Sequence, residues 1–368
     1  MKKWISFVSV GMLCLPLLFN WQALEVLRLK VFDALVHTKD PSGHFVRLDI
    51  TEKDLERMGG WPFPRKTLAG IHNELMYNGA LGVGWVIAFP QPDRFGGDDL
   101  FNTALSASPS VLAMFENTNG SYPPTQGTVI LGDGARGLRA SGVIQNTPEL
   151  RKNVSQGLAT ARADVDQLVR RMPLLLQGKE ADQWVPTFGT EVLKILTASD
   201  TYIINTEANE IVGIKLPNLG ELSTDAVGRR WVSWINSPRT TLDEMDVEGK
   251  FVFVGLKYPH EIQASFAESL LVADVPYIPG NRLLYELVIL LSVLTLVLIV
   301  IRTCTVAISA VGLGLIFSGV VGGGYYLIAS NILIDVSYSV ISLILISVQE
   351  FWLRFQEQFK LRQQIKEQ

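Results

Sequence analysis

The stretch LYELVILLSVLTLVLIVIR, at Leu284–Arg302, is the first of three apolar segments near the C-terminus. The second covers Thr305–Ile328 and the third covers Ile332–Trp352. Each has close to the roughly 20 apolar residues that a helix needs to cross a ~30 Å hydrocarbon layer. Backbone in that layer must satisfy its own hydrogen bonds, so helices are expected. The sequence therefore predicts three transmembrane helices, at residues 282–352, with a large polar domain before them.

A further apolar run, Trp4–Phe19, lies at the N-terminus behind Lys2 and Lys3. No small-residue cleavage site follows this run, and Asn20-Trp21-Gln22 is typical of a membrane interface, where an indole ring lies at headgroup level. We predict that residues 1–21 form an uncleaved transmembrane anchor. A cleaved signal peptide is the alternative.

Basic residues near the apolar segments predict the orientation, because Lys and Arg collect in short cytoplasmic loops. The loop at Ser330-Asn331 contains no basic residue. Residues 22–281 are therefore expected outside the cytoplasm of a bacterium, and residues 353–368 inside it, with the chain crossing the inner membrane several times. The basic residues that lie on the predicted cytoplasmic side are Lys2, Lys3, Arg302, Arg354, Lys360, Arg362 and Lys366.

The predicted exported region is long enough for a sizeable α/β domain. Its core cannot depend on disulfides, because Cys14 and Cys304 both lie in or beside apolar segments. The formal net charge of −4 gives no basic surface for nucleic acid, so a nucleic-acid partner is not expected.

Apolar patterning in this region alternates between strands and helices. Such alternation predicts an α/β fold with a mostly parallel sheet flanked by helices. The predicted strands are Phe45–Ile50, Leu81–Phe89, Glu210–Leu216 and Lys250–Leu256. The predicted helices are Thr51–Met58, Arg65–Tyr77, Asp99–Ala107, Arg139–Ala163, Pro186–Leu196 and Glu261–Val272.

Several short motifs occur in a characteristic order. Trp61-Pro62-Phe63-Pro64-Arg65 follows an LDI strand, Gly79-Ala80 precedes an apolar strand, and Phe89-Pro90 leads to Asp93 and Asp98-Asp99. Downstream, the block from Asp164 to Pro173, the strand after Gly249-Lys250 and the helix start at Glu261 complete the pattern. In this order the motifs resemble the CHASE2 extracellular sensory domain, and three spans usually close that module.

Some positions depart from the family pattern. Val86 stands where relatives have an aspartate in the strand, Gln167 replaces a turn glycine, and Gln263 replaces a histidine. Any ligand contacts made at these positions in relatives are therefore not expected to transfer to this chain.

The resemblance implies a sensory role without catalysis in these residues. Family members are the input halves of receptors with cytoplasmic class III nucleotide cyclases, histidine kinases or serine/threonine kinases. The tail Glu350–Gln368, with Phe351, Phe355, Phe359 and Ile365 as its apolar residues, resembles the connector to a cyclase. It is either a signalling helix that pairs across a dimer or a solvated helix that leaves the membrane. The expected partners are the lipid bilayer, a second copy in a homodimer, an unknown small ligand or envelope signal, and an output domain that is fused or acts in trans.

The corner Trp61–Arg65 is the strongest candidate for a site. Two prolines fix the backbone around Phe63 and place Arg65 in the first turn of a helix. One interpretation is structural, with Arg65 paired to a carboxylate such as Asp49. The other makes Arg65 and Trp61 a clamp for an anionic or cyclic ligand at the carboxyl end of the first strand. The complete set of candidate ligand-binding residues is Asp49, Trp61, Arg65, Asp93, Asp99, Arg170, Arg171 and Glu261.

Two further patterns leave alternatives open. Arg170-Arg171 either binds an anion or forms a surface salt bridge. In the apolar segment Thr305–Ile328, small residues recur at intervals of four, which allows close helix packing within the bundle or across a dimer. The small residues are Gly314, Ser318, Gly319, Gly322 and Gly323.

Motifs for enzymes and metals are absent from the sequence. It contains no GxSxG, HExxH or GK[ST] motif, so an exported hydrolase is the less favoured alternative to a sensor. The histidines, His37, His44, His72 and His260, are not spaced as metal ligands. We expect no catalytic residue, no metal and no cofactor.

Overall fold

A computed structural model describes residues 2–19, 21–36, 39–122, 127–180, 182–256, 258–272 and 275–367. Asn20, His37 and Gln368 lie outside these ranges, as do the side chains of Lys2, Lys3 and Lys366. The chain forms two compact units. The helical unit is Met1–Val36 with Ile278–Gln368, and the α/β unit is His37–Tyr277.

The helices have the following bounds in chain order: α1 Lys2–Leu18, α2 Gln22–Leu35, α3 Glu52–Arg57, α4 Arg65–Tyr77, α5 Asp98–Ser106, α6 Pro148–Arg151, α7 Phe188–Leu196, α8 Tyr258–Leu271, α9 Arg282–Thr303, α10 Val306–Ala329 and α11 Ser337–Glu367.

The strands are β1 Phe45–Asp49, β2 Gly82–Trp85, β3 Ser110–Glu116, β4 Thr128–Leu131, β5 Val143–Ile144, β6 Ser155–Leu158, β7 Arg171–Pro173, β8 Leu175–Gln177, β9 Trp184–Pro186, β10 Tyr202–Glu207, β11 Glu210–Leu216, β12 Gly220–Ser223, β13 Arg229–Trp231, β14 Arg239–Thr240 and β15 Phe251–Gly255.

In the helical unit, α9, α10 and α11 are long and apolar enough to cross a membrane, which confirms the three C-terminal candidate spans. The N-terminal helices α1 and α2 pass the same test only together, as a bent pair that would count as a fourth span. The third predicted segment starts too early. Helix α11 begins at Ser337 rather than Ile332, because the Asp335 carboxylate accepts hydrogen bonds from the Ser337 backbone N–H and hydroxyl, at 2.9 and 2.8 Å.

Helix α2 was not predicted. Its inner face packs Leu29 and Phe32, and Arg28 pairs with Glu286 of α9 at 2.5 Å. Glu25 of α2 pairs with Arg282 of α9 at 3.1 Å. Glu25 and Arg28 interrupt the run of apolar residues in the sequence, so no apolar helix was predicted here. In the structure both are paired with oppositely charged residues of α9.

The glycines of α10 divide into two groups. A Cβ atom on Gly312 or Gly324 would clash with Val300 or Val336, so the backbone packs closely at these two positions. Of the predicted small face, Gly314, Gly319, Gly322 and Gly323 have open space around the Cβ position. The interpretation that these four glycines pack inside the bundle is therefore wrong. The dimer interpretation stays a prediction.

The α/β unit contains a seven-stranded sheet with the order β14-β1-β15-β2-β3-β5, in which β6 also pairs with β3. All pairings in it are parallel except β3 with β5. A four-stranded sheet, β12-β11-β10-β4, and the pairs β13-β7 and β8-β9 are largely antiparallel. The predicted mostly parallel sheet is therefore wrong, and the sheets are mixed.

The physical reason is the length of the connections. Strands of the first sheet are joined through helices, which allow parallel pairing, whereas short turns return the chain antiparallel. The turn between β10 and β11 consists of Ala208 and Asn209, both with positive φ, as a tight hairpin requires.

Side chains of the first sheet alternate between two apolar layers. Val46, Leu48 and Val254 pack in one layer with residues of α4 and α5. Phe45, Phe251 and Phe253 pack in the other with residues of α7 and α8. Burial on both faces explains the continuous apolar runs in the sequence.

Most predicted elements agree with the structure to within a few residues, and α4 and β11 have the predicted bounds. The predicted helix Arg139–Ala163 is wrong, since this segment contains β5, the short helix α6 and β6. Strand β6 pairs with β3, and a Cβ atom on Gly157 would lie 2.5 Å from the Phe188 Cα atom. A local sequence pattern cannot predict this long-range packing. The predicted strand Leu81–Phe89 ends at Trp85, and its second half forms a loop.

Candidate functional site

The corner Trp61–Arg65 leads directly into α4. Pro64 is the N-cap residue and has no side-chain group that could cap the helix. The Asp93 carboxylate serves instead: its Oδ2 atom accepts the backbone N–H of Arg65 at 2.9 Å and that of Gly97 at 3.1 Å. A carboxylate is favourable here, because the first N–H groups of a helix are unpaired and carry partial positive charge.

The environment of Asp93 favours its ionised form. Burial opposes ionisation, but backbone N–H groups from Arg65, Phe95 and Gly97 and the Arg65 charge lower the pKa of Asp93 below its ordinary value. The ionised Asp93 carboxylate therefore holds the loop Asp93–Gly97 against the start of α4.

A pocket of about 350 Å³ lies beside this corner. It is at the carboxyl end of β2, not of β1 as predicted, and the loop that was expected to be strand forms much of its wall. Three of the predicted site residues line it: Trp61, Arg65 and Asp93. The complete lining is Trp61, Pro62, Phe63, Arg65, Ile87, Ala88, Phe89, Pro90, Gln91, Pro92, Asp93, Arg94 and Phe95.

The Arg65 guanidinium is buried within this corner. Its Cζ atom lies 4.2 Å from the centre of the Phe89 ring, in a cation–π contact. Its Nε atom lies 3.4 Å from Asp98 Oδ1, and its Nη2 atom donates to the Gln91 carbonyl at 3.4 Å. Burial lowers the pKa of Arg65, while Asp98 and Asp93 oppose the shift.

The predicted pairing of Arg65 with Asp49 is therefore wrong. Asp49 lies at the end of β1, where its Oδ1 atom is 2.5 Å from Nε2 of His260. The His260 side chain packs against the backbone of Gly255, where a Cβ atom would lie 2.9 Å from the ring atoms Cγ and Nδ1. Asp49 thus joins the ends of β1 and β15 to the start of α8.

Two other predicted site residues lie outside the pocket. Asp99 is exposed on the first turn of α5 and is not among the lining residues. Glu261 of α8 pairs with Arg47 of β1 at 2.9 Å and lies 3.6 Å from Arg239 of β14. Glu261 therefore contacts the edge of the first sheet.

Arg170 and Arg171 are buried in a network of ion pairs. Arg170 pairs with Asp166 at 2.7 Å, and this hydrogen bond lowers the pKa of Asp166 to about 2 although burial opposes the shift. Arg171 pairs with Asp164 and lies 3.6 Å from Asp225. The interpretation as a surface salt bridge is wrong about the location, because both arginine side chains are at least nine-tenths buried.

Sequence reasoning missed Asp98 as the ion-pair partner of Arg65 and Phe89 as the ring that its guanidinium contacts. It also missed that His260 pairs with Asp49 and that Arg47 pairs with Glu261. Asp98 was visible as part of the motif Asp98-Asp99, but nothing local distinguishes the inward residue from the exposed one. Only the return of the loop onto the start of α4 separates them.

Comparison with known protein families gives one decisive result. The model of the CHASE2 domain matches residues 9–299 of the 368-residue chain. The chain belongs to the CHASE2 family. CHASE2 is a sensory rather than a catalytic domain. No curated protein and no solved structure shows significant similarity to the chain.

One departure from the CHASE2 pattern has a visible consequence. Gln167, which replaces a turn glycine, retains the left-handed conformation that glycine adopts freely, with φ at 69°. The turn is held by the Gln167 N–H, which donates to the Asp164 carbonyl at 3.0 Å. A non-glycine residue therefore carries strain at this position of the CHASE2 domain.

A serine–histidine pair is present in this CHASE2 domain, but its geometry does not suit nucleophilic catalysis. His72 Nε2 lies 2.8 Å from the Ser108 hydroxyl, and Trp85 Nε1 donates to His72 Nδ1 at 3.3 Å. Burial lowers the pKa of His72 to about 4, so the ring is neutral near pH 7 and carries one N–H. That N–H must be on Nε2 and donates to Ser108, whereas a general base would accept the serine proton.

Among the residues that the structure describes, no group of three or more His, Cys, Asp or Glu side chains is arranged to hold a metal ion. His37, one of the histidines considered above, lies outside those residues.

Proposed function

We propose that this chain is the sensory input module of a bacterial inner-membrane receptor. The α/β unit perceives a signal outside the cytoplasm, and the helical unit transmits it to a cytoplasmic output. The output is a class III adenylate or guanylate cyclase. A histidine kinase, a serine/threonine kinase or a partner in trans are alternative outputs.

The observation that carries this proposal is the unbroken helix α11, which has 31 residues. At about 1.5 Å per residue it is roughly 46 Å long, more than the ~30 Å hydrocarbon layer. The predicted connector is thus continuous with the last span. A continuous helix transmits rotation or translation to whatever follows it.

The exposed face of α11 supports a homodimer as the signalling state. Apolar residues recur at alternating intervals of four and three along this face, as in a coiled coil, and each is at least 40% exposed. Phe351 is not one of them, because it packs against the bundle. The exposed seam comprises Ile341, Leu345, Val348, Trp352, Phe355 and Phe359.

Lipid covers the first part of the seam, but α9 ends at Thr303, close to the level where Arg302 contacts Glu350 of α11. Phe355 and Phe359 lie beyond this level. A second copy of α11 would remove these rings from water.

The orientation is supported by the basic residues. Arg302, Arg354, Lys360 and Arg362 lie at one end of the helical unit or in its tail, whereas the Ser330-Asn331 turn at the other end has no basic residue. Under the positive-inside rule these residues support a cytoplasmic tail and a periplasmic α/β unit.

The experiment is to isolate the protein from its native membrane, determine its intact mass and assay it with ATP and GTP. We expect a mass larger by a catalytic domain and formation of a cyclic nucleotide. A kinase domain, or a mass that ends at Gln368, would refute the cyclase assignment. In the latter case, co-purification of an output enzyme would support a partner in trans.

A further inference from the structure

Arg65 differs from the other buried arginines of the described chain in its polar contacts. The others each contact an oxygen atom at 2.9 Å or closer. The polar side-chain contacts of Arg65, to Asp98 and to the Gln91 carbonyl, are both 3.4 Å long. The compared arginines are Arg28, Arg47, Arg170, Arg171 and Arg230.

A buried cation with only long contacts is poorly compensated for its lost hydration. Arg65 is only 8% exposed, and its Nε atom has no hydrogen-bond partner within the described residues. A guanidinium has five N–H groups, so Arg65 retains several donors for another acceptor. Because Arg65 lines the pocket, a bound ligand can accept hydrogen bonds from it.

Most of the residues that line the pocket have apolar side chains. Trp61 and Phe63 contact each other edge to face, with ring centres 5.3 Å apart, and the Phe89 ring lies against Arg65. Prolines at 62, 90 and 92 restrict the backbone around it. The volume of about 350 Å³ is at the lower end of the roughly 300–1,000 Å³ range of ligand pockets, so the ligand must be small.

The charges around the pocket favour an anion. Its charged lining residues are Arg65, Asp93 and Arg94. The Asp93 carboxylate already accepts backbone N–H groups of Arg65, Phe95 and Gly97. Asp98 faces Arg65 from behind the pocket, and its Oδ2 atom accepts the Asp93 N–H at 2.7 Å. The formal charges of the three lining residues sum to +1, and backbone N–H groups stabilise the nearby carboxylate charges, so an anionic ligand is favoured over a cation.

We propose that this pocket binds a small organic anion with a flat apolar body, such as an aromatic carboxylate. Its carboxylate pairs with Arg65, and its ring packs against Trp61. The assignment rests on the proposed sensory function and names the chemical class of the ligand. Arg65 forms short, charge-assisted hydrogen bonds only when the anion is bound.

The test measures binding of benzoate and of its neutral isostere benzamide to the full chain in lipid nanodiscs, by titration calorimetry. Hydrogen bonds to a charged group predict that benzoate binds at least about tenfold more tightly. Arg65→Gln should remove this preference and leave the affinity for benzamide within about twofold, which also reports that the pocket remains folded. Lys66→Gln, which removes an exposed charge outside the pocket lining, should retain a preference for benzoate.

Comparison of benzoate with benzamide on the wild-type chain tests, without any variant, whether the ligand must be charged. Equal affinity for the two probes, binding of neither, or tighter binding of benzylammonium than of benzoate would overturn the proposal. So would a benzoate preference that survives Arg65→Gln. Failure of the signalling proposal is distinguishable, because cyclase output could be absent while benzoate still binds, or present while benzoate does not bind.

Discussion

Arg302, at the C-terminal end of α9, forms an ion pair with Glu350 of α11, with Nε and Oε2 3.3 Å apart. The Ser6 hydroxyl of α1 also donates to Glu350. One turn further along α11, Arg354 donates to the Ile301 and Cys304 carbonyls, both at 3.0 Å, and so caps the end of α9. The point where α11 leaves the bundle is therefore clamped to α9.

Removal of either partner of this ion pair should have unequal effects. Glu350 is 6% exposed and Arg302 is 35% exposed, so Arg302→Gln leaves a buried carboxylate without an ion-pair partner whereas Glu350→Gln leaves a cation that water can reach. We expect losses of unfolding free energy of about 3 and about 1 kcal/mol. Unfolding of the full chain in mixed micelles measures both values. Equal losses would contradict the inferred difference in burial.

Disulfide cross-linking tests the exposed seam of α11. In a background where Cys14 and Cys304 are replaced by Ser, Phe359→Cys should form disulfide-linked dimers in native membranes, because the seam faces the second copy. Leu361→Cys is the matched control, since its side chain is similarly exposed, 57% against 53%, but lies about 200° around the helix. Equal cross-linking of the two variants would exclude pairing through the seam.

Burial of His72 makes the α/β unit less stable in acid. Its pKa is lowered to about 4 in the folded chain and is about 6.5 when unfolded, so the unfolded state binds more protons between these values. Stability is retained above pH 6.5 and decreases as pH falls toward 4, by about 3 kcal/mol. Thermal unfolding across this range should show a steeper loss for the wild type than for His72→Gln. Parallel profiles would show that His72 does not contribute.

Gln167→Gly should stabilise the α/β unit. A side chain at φ of 69° carries strain that glycine avoids, although glycine also gains entropy in the unfolded chain. We expect a net gain of about 0.5–1 kcal/mol in thermal unfolding. Gln167→Ala, which keeps a Cβ atom, should give no such gain. A loss of stability in the glycine variant would mean that the Gln167 side chain makes a stabilising contribution.

Two glycine-to-alanine changes should have opposite signs. A Cβ atom on Gly84 of β2 would lie 2.9 Å from ring atoms of Phe188 and Phe251, so Gly84→Ala should cost about 1–3 kcal/mol through overpacking. Gly70 of α4 has open space around its Cβ position, so Gly70→Ala should stabilise the helix by about 0.5–1 kcal/mol. Urea unfolding of both variants checks the pair, and a destabilising Gly70→Ala would contradict the open geometry.

Local pattern was sufficient for much of the fold. The three apolar segments, the strand at β15 and the helix α4 followed from the number and spacing of their apolar residues. Local pattern was insufficient for β6, which has few apolar residues and forms a strand only by pairing with β3. It was also insufficient for the mixed sheets, because the direction of each strand depends on the connection before it.

The candidate site was predictable in part. The sequence identified Trp61, Arg65 and Asp93, because prolines and a helix start mark the corner locally. It named Asp49 rather than Asp98 as the partner of Arg65, since both carboxylates are close to loops and strand ends in the sequence and nothing local separates them. It also listed Asp99, Glu261 and the Arg170-Arg171 pair as candidate ligand-binding residues, and these residues lie outside the pocket.

The sequence by itself determined the class of the protein, the apolar helices and the family, because hydrophobic length and short motifs are properties of the chain. Tertiary structure decided which charges meet. Arg65 faces Asp98, Asp49 faces His260, and Glu350 faces Arg302. Each pair joins residues that are distant in sequence or separated by a loop. Such contacts arise only when packing of the apolar layers brings their elements together, and local pattern contains no information on that packing.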